Sequence, residues 1–392
     1  MQTLRCAVIG AGLMGRRHAV ELNRHPACNV VAIVDPIEEA RLNVADAVGA
    51  EAFECIESLL EKTTPDLVVV ATPDHLHHQP TMACIEAGVK NLVLEKPIAT
   101  TIEEGLEIVQ AAKRAGSFIL INFSNRFWPA ERATRLLVHE HFCGEMVSGR
   151  LHLDDNIGVP KRLWQDRSAE WVASSSPAHF LFPHLIDLLY FYLPDCRVVS
   201  VSAKSVSKAV KSTPDTYMAL LEWSSGAITQ LEATWIKHIP RLVESFDELV
   251  LTEGTITHNR HAAFQLQPGW TAASGRNLSE TDLEKLQARF RAMGLQTKRI
   301  RFDQEPSEGD ATIMPAWSLE QVGSRDLIDM HLYADAVLEY SLTPTSWQDS
   351  GPLPSLKDGW EVLRVVAAVL KSAEEKREVA VDDVGPLFEE IG

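Results

Sequence analysis

The feature that most constrains the fold is a glycine-rich turn close to the amino terminus. Residues 5–9 form an apolar, strand-like run, and the sequence GAGLMG at residues 10–15 follows it and leads directly into a helical pattern. Gly10 permits a tight turn, Gly12 lets the backbone approach a pyrophosphate, and Gly15 lets the helix pack on the strand. The spacing therefore predicts a strand–turn–helix unit that holds phosphates at the helix N-terminus.

The first third of the chain alternates short apolar runs with helical periodicity. Strands that are apolar throughout, with helices between them, are typical of a parallel sheet covered on both faces. The pattern predicts a Rossmann-type, doubly wound parallel α/β domain over residues 1–124. The strand-like runs are residues 5–9, 30–34, 67–71, 92–94 and 119–123, and the helical runs are 13–24, 37–48, 78–87 and 103–115.

Residues 125–392 carry a different pattern, in which strands are joined by short turns. The sequence Ser-Ser-Gly at residues 224–226 has the length and chemistry of a hairpin turn. We expect an α+β domain with a large, mostly antiparallel open sheet, and a C-terminal helix that packs back on the first domain. The expected strands are 146–153, 198–203, 217–223, 227–235 and 248–252, the helices are 283–293 and 325–341, and the loops are 268–282, 303–312 and 343–358.

One face of this second sheet has no helices to cover it in the expected arrangement. Such a face is left to water or to a partner subunit. We expect Leu221, Trp223 and Leu231 to be apolar positions exposed on it. The sequence thus predicts a homodimer or homotetramer that assembles through the sheet of the second domain.

Composition excludes several classes of partner. The chain has 37 Lys and Arg against 54 Asp and Glu, and its formal net charge of −17 disfavours nucleic acids and anionic membranes. No apolar stretch reaches the roughly 20 residues that a bilayer-spanning helix needs. The six cysteines form no CxxC pattern and the start of the chain does not resemble a secretion signal, so we expect a cytoplasmic protein.

An acidic residue at the end of the next strand strengthens the nucleotide prediction. Asp35 lies where a carboxylate can accept hydrogen bonds from both hydroxyls of an adenosine ribose. Its charge would repel the 2′-phosphate of NADP, and Arg41 lies a helical turn or more away. The sequence favours NAD over NADP, with Leu13 and Met14 of the turn among the residues that contact it.

Three further motifs complete a family pattern. They are TPDHLH at residues 72–77, Glu-Lys-Pro at 95–97, and PHLID at 183–187, which opens a helix in the second domain. Together with the turn at 10–15, they make the chain resemble the Gfo/Idh/MocA family of glucose–fructose oxidoreductase, inositol dehydrogenase and rhizopine-catabolism proteins, from about residue 4 to residue 235. The resemblance implies NAD(P)-dependent hydride transfer at a secondary hydroxyl of a sugar, cyclitol or glycoside.

The resemblance also implies roles for individual residues. Lys96 would stabilise a developing alkoxide, with a cis peptide bond to Pro97. His184 would accept the hydroxyl proton, since the usual pKa of histidine, about 6.5, suits proton transfer near neutrality. Asp187, one helical turn further on, would orient the imidazole or a sugar hydroxyl. The cofactor contacts implied by the same comparison are Thr72, Pro73, His77, Glu95 and Lys96.

Two positions before His184 depart from the family pattern. Many members carry Asp four residues before the histidine and Gly two before it, where this chain has Phe180 and Phe182. Either the substrate has an apolar or aromatic group on that side, or the catalytic arrangement has changed. Arg126 could hold a hydroxyl-rich or anionic substrate, or form a salt bridge between the domains. Trp164 could stack on a sugar ring or pack in the core.

Metal binding and the reaction type are less tightly constrained by the sequence. His75, His77 and His78 cluster after a strand, but no further ligands complete a metal site, and we expect none. The sequence alone does not rank the polar residues of the stretch before the His184 helix as candidate site residues; they are Asp154, Asp155 and Lys161. Besides a dehydrogenase, the pattern admits a redox-neutral, NAD-dependent glycoside-cleaving enzyme and a non-catalytic NAD- or sugar-binding sensor.

Overall fold

The chain forms two sheets, with six and ten strands. The computed structural model describes residues 3–162, 168–261, 269–300, 316–322 and 353–392. The expected helix over 325–341 and the expected loop over 303–312 lie outside the described residues. The first sheet ends at Ile121 and the second begins at Met146, and a domain boundary near residue 124 stays a prediction.

All six strands of the first sheet run parallel. They are β1 (Leu4–Ile9), β2 (Cys28–Val34), β3 (Glu51–Phe53), β4 (Leu67–Val70), β5 (Asn91–Leu94) and β6 (Phe118–Ile121). Their order is β3-β2-β1-β4-β5-β6, so the winding reverses between β1 and β4, where open α/β sheets bind ligands beyond the carboxyl ends of the strands. The predicted fold class and all five predicted strands of this sheet are confirmed. The remaining strand, β3, was not predicted, because its three residues are too few to carry a pattern.

The helices of the first half begin and end at residues suited to those positions. They are α1 (Leu13–Arg24), α2 (Glu38–Val48), α3 (Ile56–Lys62), α4 (His78–Glu86) and α5 (Ile102–Ala115). In α5, the Thr101 side chain accepts a hydrogen bond from the Glu104 N–H, and Gly116 ends the helix with a φ of 62°. Its buried face carries Ile108 and Val109, which pack on the sheet between these ends.

The ten strands of the second sheet are mostly antiparallel. They are β7 (Met146–Asn156), β8 (Val198–Val206), β9 (Thr216–Trp223), β10 (Ile228–Lys237), β11 (Val243–Leu251), β12 (Gly254–Asn259), β13 (Gly269–Ser274), β14 (Thr297–Arg299), β15 (Trp317–Gln321) and β16 (Val379–Ala380). Their order is β14-β15-β13-β12-β11-β7-β10-β9-β8-β16, and only the β7–β10 pair among those described is parallel. The predicted hairpin turn is confirmed, with Gly226 at φ 86° between β9 and β10. The expected loop over 268–282 is wrong in its first half, where the structure has β13. The side chains of this strand alternate in burial, but most of them are small, so the sequence shows no clear apolar and polar alternation.

The helices of the second half are α6 (Pro129–His139), α7 (Gly158–Arg162), α8 (Ser168–Ser174), α9 (Pro177–Phe180), α10 (Phe182–Tyr192), α11 (Glu280–Ala292) and α12 (Leu356–Glu375). Two prolines set the start of α9 and α10. Pro177 begins α9 behind a Ser176 cap, and Pro183 lies in the first turn of α10. Proline has no backbone N–H, and the first turn of a helix needs none for its internal hydrogen bonds. A new helix, α10, can therefore start at Phe182 with Pro183 in its first turn.

The C-terminal helix packs on the first sheet as well as on the second. A Cβ at Gly105 of α5 would lie 2.3 Å from the Leu363 side chain of α12, so the two helices are in close contact. The Ile121 N–H of β6 donates to the Pro354 carbonyl at 2.9 Å, just before α12 begins. The expected loop over 343–358 is therefore wrong at its end, where a serine cap starts this helix. No helix among the described residues has the length and apolar character to cross a membrane.

The open face of the second sheet carries a different set of side chains from the one expected. Leu221 and Leu231 are fully buried and face the helices, together with Trp223. The exposed apolar residues are at the alternate positions of β9 and β10: Met218 is 44% exposed, Leu220 43% and Ile228 42%. Since neighbouring residues of a strand point to opposite faces, the sequence pattern predicted the correct strands but the wrong alternate residues.

Candidate active site

The glycine-rich turn joins β1 to α1 in a conformation that side chains would obstruct. Gly10 has φ +97°, and a Cβ there would lie 2.5 Å from the backbone carbonyl oxygen that follows β4. A Cβ on Gly15 would lie 1.6 Å from the Gly10 carbonyl oxygen. No side chain caps α1 at Gly12, Leu13 is 67% exposed, and Met14 packs against the apolar cluster under the helix. The turn therefore offers space and free backbone N–H groups to an anionic ligand.

Asp35 has a carboxylate that the backbone holds in place. Its Oδ2 accepts a hydrogen bond from the Ala11 N–H at 2.8 Å, and its Oδ1 accepts one from the Ile37 N–H at 2.8 Å. Arg41 directs its guanidinium to the Pro36 carbonyl at 3.1 Å. Each carboxylate oxygen keeps a second lone pair, so Asp35 can still accept hydrogen bonds from ribose hydroxyls.

The loops after β4 and β5 are tied together by a buried histidine. His77 Nδ1 lies 2.6 Å from the Pro97 carbonyl oxygen, and its Nε2 lies 3.0 Å from the Thr72 carbonyl oxygen. Burial lowers the pKa of His77. Because both nitrogens face the backbone, His77 positions Thr72, Pro73 and Pro97 and presents neither nitrogen to a cofactor.

Glu95 is fixed by two buried neighbours from other elements. Its Oε1 lies 2.8 Å from His18 Nε2 and accepts a hydrogen bond from Asn122 Nδ2 at 2.6 Å. Burial alone would raise the pKa of Glu95, but the bond to His18 and the charge of Lys96 bring it to about 2. Glu95 is thus a permanent negative charge next to Lys96, and no sequence pattern links it to His18.

Lys96 is a buried ammonium at the carboxyl end of β5. Its Nζ donates to the Phe180 carbonyl at 3.0 Å and lies 3.9 Å from the centre of the Phe180 ring. Burial lowers the pKa of Lys96, while the carboxylates of Glu95, Asp74 and Asp155 oppose that change. The Lys96–Pro97 peptide is cis, as the family resemblance implies.

His184 lies on α10 in the same electrostatic neighbourhood as Lys96. Burial holds the pKa of His184 well below its ordinary value, and the positive charge of Lys96 lowers it further. Its Nδ1 is buried without a hydrogen-bond partner among the described residues. The imidazole is therefore neutral near pH 7, and no carboxylate of the described residues is hydrogen-bonded to its Nδ1.

Asp187 does not orient His184, contrary to its predicted role. Its carboxylate accepts from Arg126 Nε at 3.0 and 2.9 Å, and Arg126 Nη2 also donates to Asp358 at 2.8 Å. Burial raises the pKa of Asp187 to about 7, against the pull of Arg126. The ion pairs link α10 to the segment before α6 and to α12, so of the two roles considered for Arg126 the structure has the salt bridge.

Aromatic side chains surround the position where the family pattern has an aspartate. Phe180 packs edge-on against Trp171, with ring centres 5.0 Å apart, and also contacts Trp235. Trp171 Nε1 donates to Asp74 of the TPDHLH motif at 2.9 Å, which links α8 to the first sheet. The predicted substrate contact Trp164 lies outside the described residues.

Asp155 is a site residue that the sequence pattern did not single out. It is the next-to-last residue of β7, is only 4% exposed, and its Oδ2 is buried without a partner among the described residues. Burial raises the pKa of Asp155 to about 7, although the charge of Lys96 acts to lower it. The sequence does contain one signal for Asp155. Side chains alternate between the two faces along β7, and this alternation puts Asp155 on the same face as Leu151 and Leu153.

The histidines after β4 do not converge on one point. The two ring nitrogens of His77 face carbonyl oxygens, and His78 Nε2 lies 2.7 Å from Glu107 on α5. His75 Nδ1 lies 3.6 Å from Asp74. These three side chains therefore have separate neighbours and form no common ligand set.

A different group of potential metal ligands lies between α6 and the second sheet. Ligand atoms of Glu131, Asp247 and His258 are all within 4.8 Å of one another. Glu131 lies 2.8 Å from His258 Nδ1, and Arg260 Nη2 lies 3.3 Å from Asp247. The Arg260 guanidinium already supplies positive charge to both carboxylates, so the geometry is that of a buried ion-pair network.

Comparison with known proteins identifies the family over both sheets. Residues 4–123 match the GFO_IDH_MocA oxidoreductase family with an NAD-binding Rossmann fold, and residues 132–257 match the GFO/IDH/MocA C-terminal domain. These matches together cover more than half of the chain.

Two curated relatives and one solved structure illustrate the similarity. Inositol 2-dehydrogenase of Corynebacterium glutamicum is 29% identical over 239 residues, which is 59% of this chain and 67% of the relative. Levoglucosan dehydrogenase of Pseudarthrobacter phenanthrenivorans is 26% identical over 299 residues, which is 68% of this chain and 76% of the relative.

The fold is also that of a solved structure, GenD2 from gentamicin A biosynthesis in complex with NAD. It superposes with a TM-score of 0.72 at 20% identity and covers 97% of both chains. The turn at residues 10–15, the strand order and the two family matches agree, and the chain belongs to the Gfo/Idh/MocA family of oxidoreductases with an NAD-binding Rossmann fold.

Proposed function

We propose that the protein is an NAD-dependent dehydrogenase that oxidises, or in reverse forms, a secondary hydroxyl of a sugar, cyclitol or glycoside. The observation that carries this proposal is the buried Lys96 ammonium at the carboxyl end of β5, close to the switch point of an NAD-binding sheet. Relatives named inositol 2-dehydrogenase and levoglucosan dehydrogenase support the substrate class.

The residues at the switch point fit a dinucleotide. Gly10 and Gly15 leave a cradle that a Cβ would fill, and the uncapped start of α1 would hold the pyrophosphate. Asp35, already oriented by two backbone N–H groups, would accept the ribose hydroxyls and disfavour a 2′-phosphate. When bound, the nicotinamide supplies a carbon that accepts or donates hydride.

Lys96 would stabilise negative charge on the reacting oxygen. Its Nζ has three N–H bonds, and the Phe180 carbonyl takes one of them. The remaining N–H groups can donate to a substrate hydroxyl, and the nearby carboxylates help to keep the buried amine protonated. A positive charge in a low-dielectric site stabilises a developing alkoxide more strongly than the same charge in water.

His184 would contact the same hydroxyl as a neutral imidazole. Its low pKa means that it can accept a hydrogen bond without carrying charge of its own. Since Asp187 is bonded to Arg126, it does not strengthen the basicity of the ring, and the charge of Glu95 only partly offsets the effects of burial and of Lys96. In our proposal Lys96 therefore carries more of the stabilisation than His184.

A substrate panel tests the proposed function. The purified protein is incubated with myo-inositol, levoglucosan and methyl glucosides, with NAD and NADP in separate reactions, and absorbance is followed at about 340 nm. We expect NADH to accumulate with at least one of these polyols and faster than NADPH. Cleavage of a glycoside without net NADH would instead favour the redox-neutral enzyme, and NAD binding without any turnover would favour the sensor.

We also propose a homodimer or homotetramer that assembles through the open face of the second sheet. The apolar side chains of Met218, Leu220 and Ile228 on this face are more than 40% exposed. We expect light scattering at micromolar concentration to give a multiple of the chain mass. A stable monomer would contradict this assembly.

A further inference from the structure

The strand β7 directs one carboxylate toward the helix-covered face of the second sheet. Leu151 and Leu153 are buried in the core on that face, and Asp155 follows them at the next alternate position. Its neighbour Asp154 points to the other face and accepts a hydrogen bond from Lys237 at 2.7 Å. The two adjacent aspartates therefore have separate surroundings.

Asp155 Oδ2 has no hydrogen bond to any of the described residues. Asp154, Glu244 and Asp247 also have one buried oxygen without a hydrogen bond to a described residue, but the other oxygen of each pairs with Lys237 or Arg260. Glu95 is bonded to His18 and Asn122, and Asp187 is bonded to Arg126. The Asp155 carboxylate differs from these in having neither a hydrogen bond nor an ion pair to a described residue. A buried, unsatisfied carboxylate oxygen is costly and needs an explanation, and a bound ligand that donates a hydrogen bond is one.

The charges place Asp155 with the chemical groups of the site. The charge of Lys96 lowers the pKa of Asp155, and the charge of Asp155 raises the pKa of Lys96. The charge of Lys96 also lowers the pKa of His184. The family position for a carboxylate before His184 is filled by Phe180, whose ring lies over Lys96. This site thus has a carboxylate near Lys96 that comes from β7, not from the helix that carries His184.

We propose that Asp155 is the proton acceptor of this site, and this inference rests on the proposed dehydrogenase function. A carboxylate oxygen of Asp155 accepts a hydrogen bond from the substrate hydroxyl. As the C–H bond breaks and its electron pair leaves as hydride to the oxidised nicotinamide, the O–H electron pair forms the carbonyl bond. The hydroxyl proton passes to Asp155, which later releases it to water.

The proton affinities of the candidate groups agree with this assignment. Burial lowers the pKa of His184 well below neutrality, so its ring is a weak base. Burial raises the pKa of Asp155 to about 7, with Asp154 adding to the rise and Lys96 opposing it. A base works best when its pKa lies near the working pH, which favours Asp155.

Kinetics of two adjacent variants test the proposal on whichever polyol of the panel the wild type oxidises. We expect Asp155→Asn to lower kcat/KM by about 10²- to 10⁴-fold and to remove its rise with pH through about 7, while the affinity for NAD changes less than about twofold. Asp155→Glu should recover part of the rate. The matched control, Asp154→Asn, should keep most of the rate and should keep the rise with pH, with the midpoint shifted to lower pH because the charge of Asp154 helps to raise the pKa of Asp155. An unchanged pH profile in Asp155→Asn would overturn the assignment.

A second measurement needs no substrate and separates this proposal from the proposed function. With a raised pKa, folded Asp155 keeps a proton that the unfolded chain has lost, so the free energy of unfolding falls as the pH rises from about 4 to about 7 and changes little above that. Asn cannot ionise. We expect the melting temperature of Asp155→Asn relative to that of wild type to be several degrees higher at pH 8 than at pH 4, with Asp154→Asn lacking that gain. Equal melting temperatures of Asp155→Asn and wild type at both pH values would overturn the proposal, even if the panel shows turnover.

Discussion

The cofactor end and the substrate end of the site are built in different ways. At the cofactor end, the groups that face a ligand are backbone N–H groups, missing Cβ atoms and one carboxylate that two N–H groups hold in place. At the proposed substrate end they are the side chains of Lys96, His184 and Asp155, which come from separate parts of the chain, and of these Lys96 and Asp155 are buried. One end depends on local backbone shape and the other on charges removed from water.

This difference has energetic consequences. A backbone cradle loses function when a side chain enters it, because the turn cannot move away from the strands beside it. Buried charged groups cost free energy unless they are paired, so they are kept where chemistry uses them. Mutations at the two ends should therefore separate cofactor binding from turnover.

The largest expected effect is on turnover. Lys96→Ala should lower kcat by about 10³-fold, because it removes the positive charge that stabilises the alkoxide. The affinity for NAD, measured by fluorescence titration, should change little. Lys90→Ala is the matched control, since Lys90 is an exposed lysine of the same half that bonds only to the Ala115 carbonyl among the contacts described. Comparable rates in both variants would remove Lys96 from the mechanism.

The next effect is on cofactor affinity. Gly10→Ala combines an unfavourable φ of +97° with a Cβ 2.5 Å from a carbonyl oxygen, and we expect the Kd for NAD to rise by about 10²-fold. Gly88→Ala is a matched control, because Gly88 also has a positive φ, +82°, but has open space around it. It should cost some stability and leave the Kd unchanged. Similar Kd values for the two variants would show that the cradle is not tight.

The smallest effect is on the choice of cofactor. Asp35→Ala should weaken NAD binding by about tenfold, because it removes a charged hydrogen-bond acceptor. The affinity for NADP should fall less, since the same change removes a repulsive charge. Parallel titrations with the two cofactors measure the ratio, and an equal loss for both would contradict the ribose assignment.

Sequence patterns predicted most elements of the first sheet and several of the second. The apolar runs and the helical periodicity around residues 4–121 lie close together in the chain, so local sequence carries them. β13 was missed because its small residues have no strong pattern, and the start of α12 was missed although Ser355 and Asp358 form a capping box there. The place of β13 is set by its pairing with β12 and β15.

Among the site residues, the prediction for Asp187 failed for a physical reason. Its spacing from His184 put both on one helix face, but the stronger attraction of the Arg126 guanidinium determines where the carboxylate points. Arg126 is 61 positions away along the chain, so helix spacing contains no information about it. The exposed residues of β9 were likewise assigned to the wrong face, since a pattern of apolar residues on both faces does not say which side the helices cover.

The sequence by itself determined the strand–turn–helix unit at residues 4–24, the acidic residue at the end of β2 and the lysine at the end of β5. Each of these follows from steric or electrostatic needs that act within a few residues. Only the tertiary structure decided which buried charges are paired and which are not. Lys96 and Phe180 are 84 positions apart, and their contact depends on how the two sheets pack. The unpartnered oxygen of Asp155 follows from the same packing, because the pairing of a buried charge is set by neighbours in space.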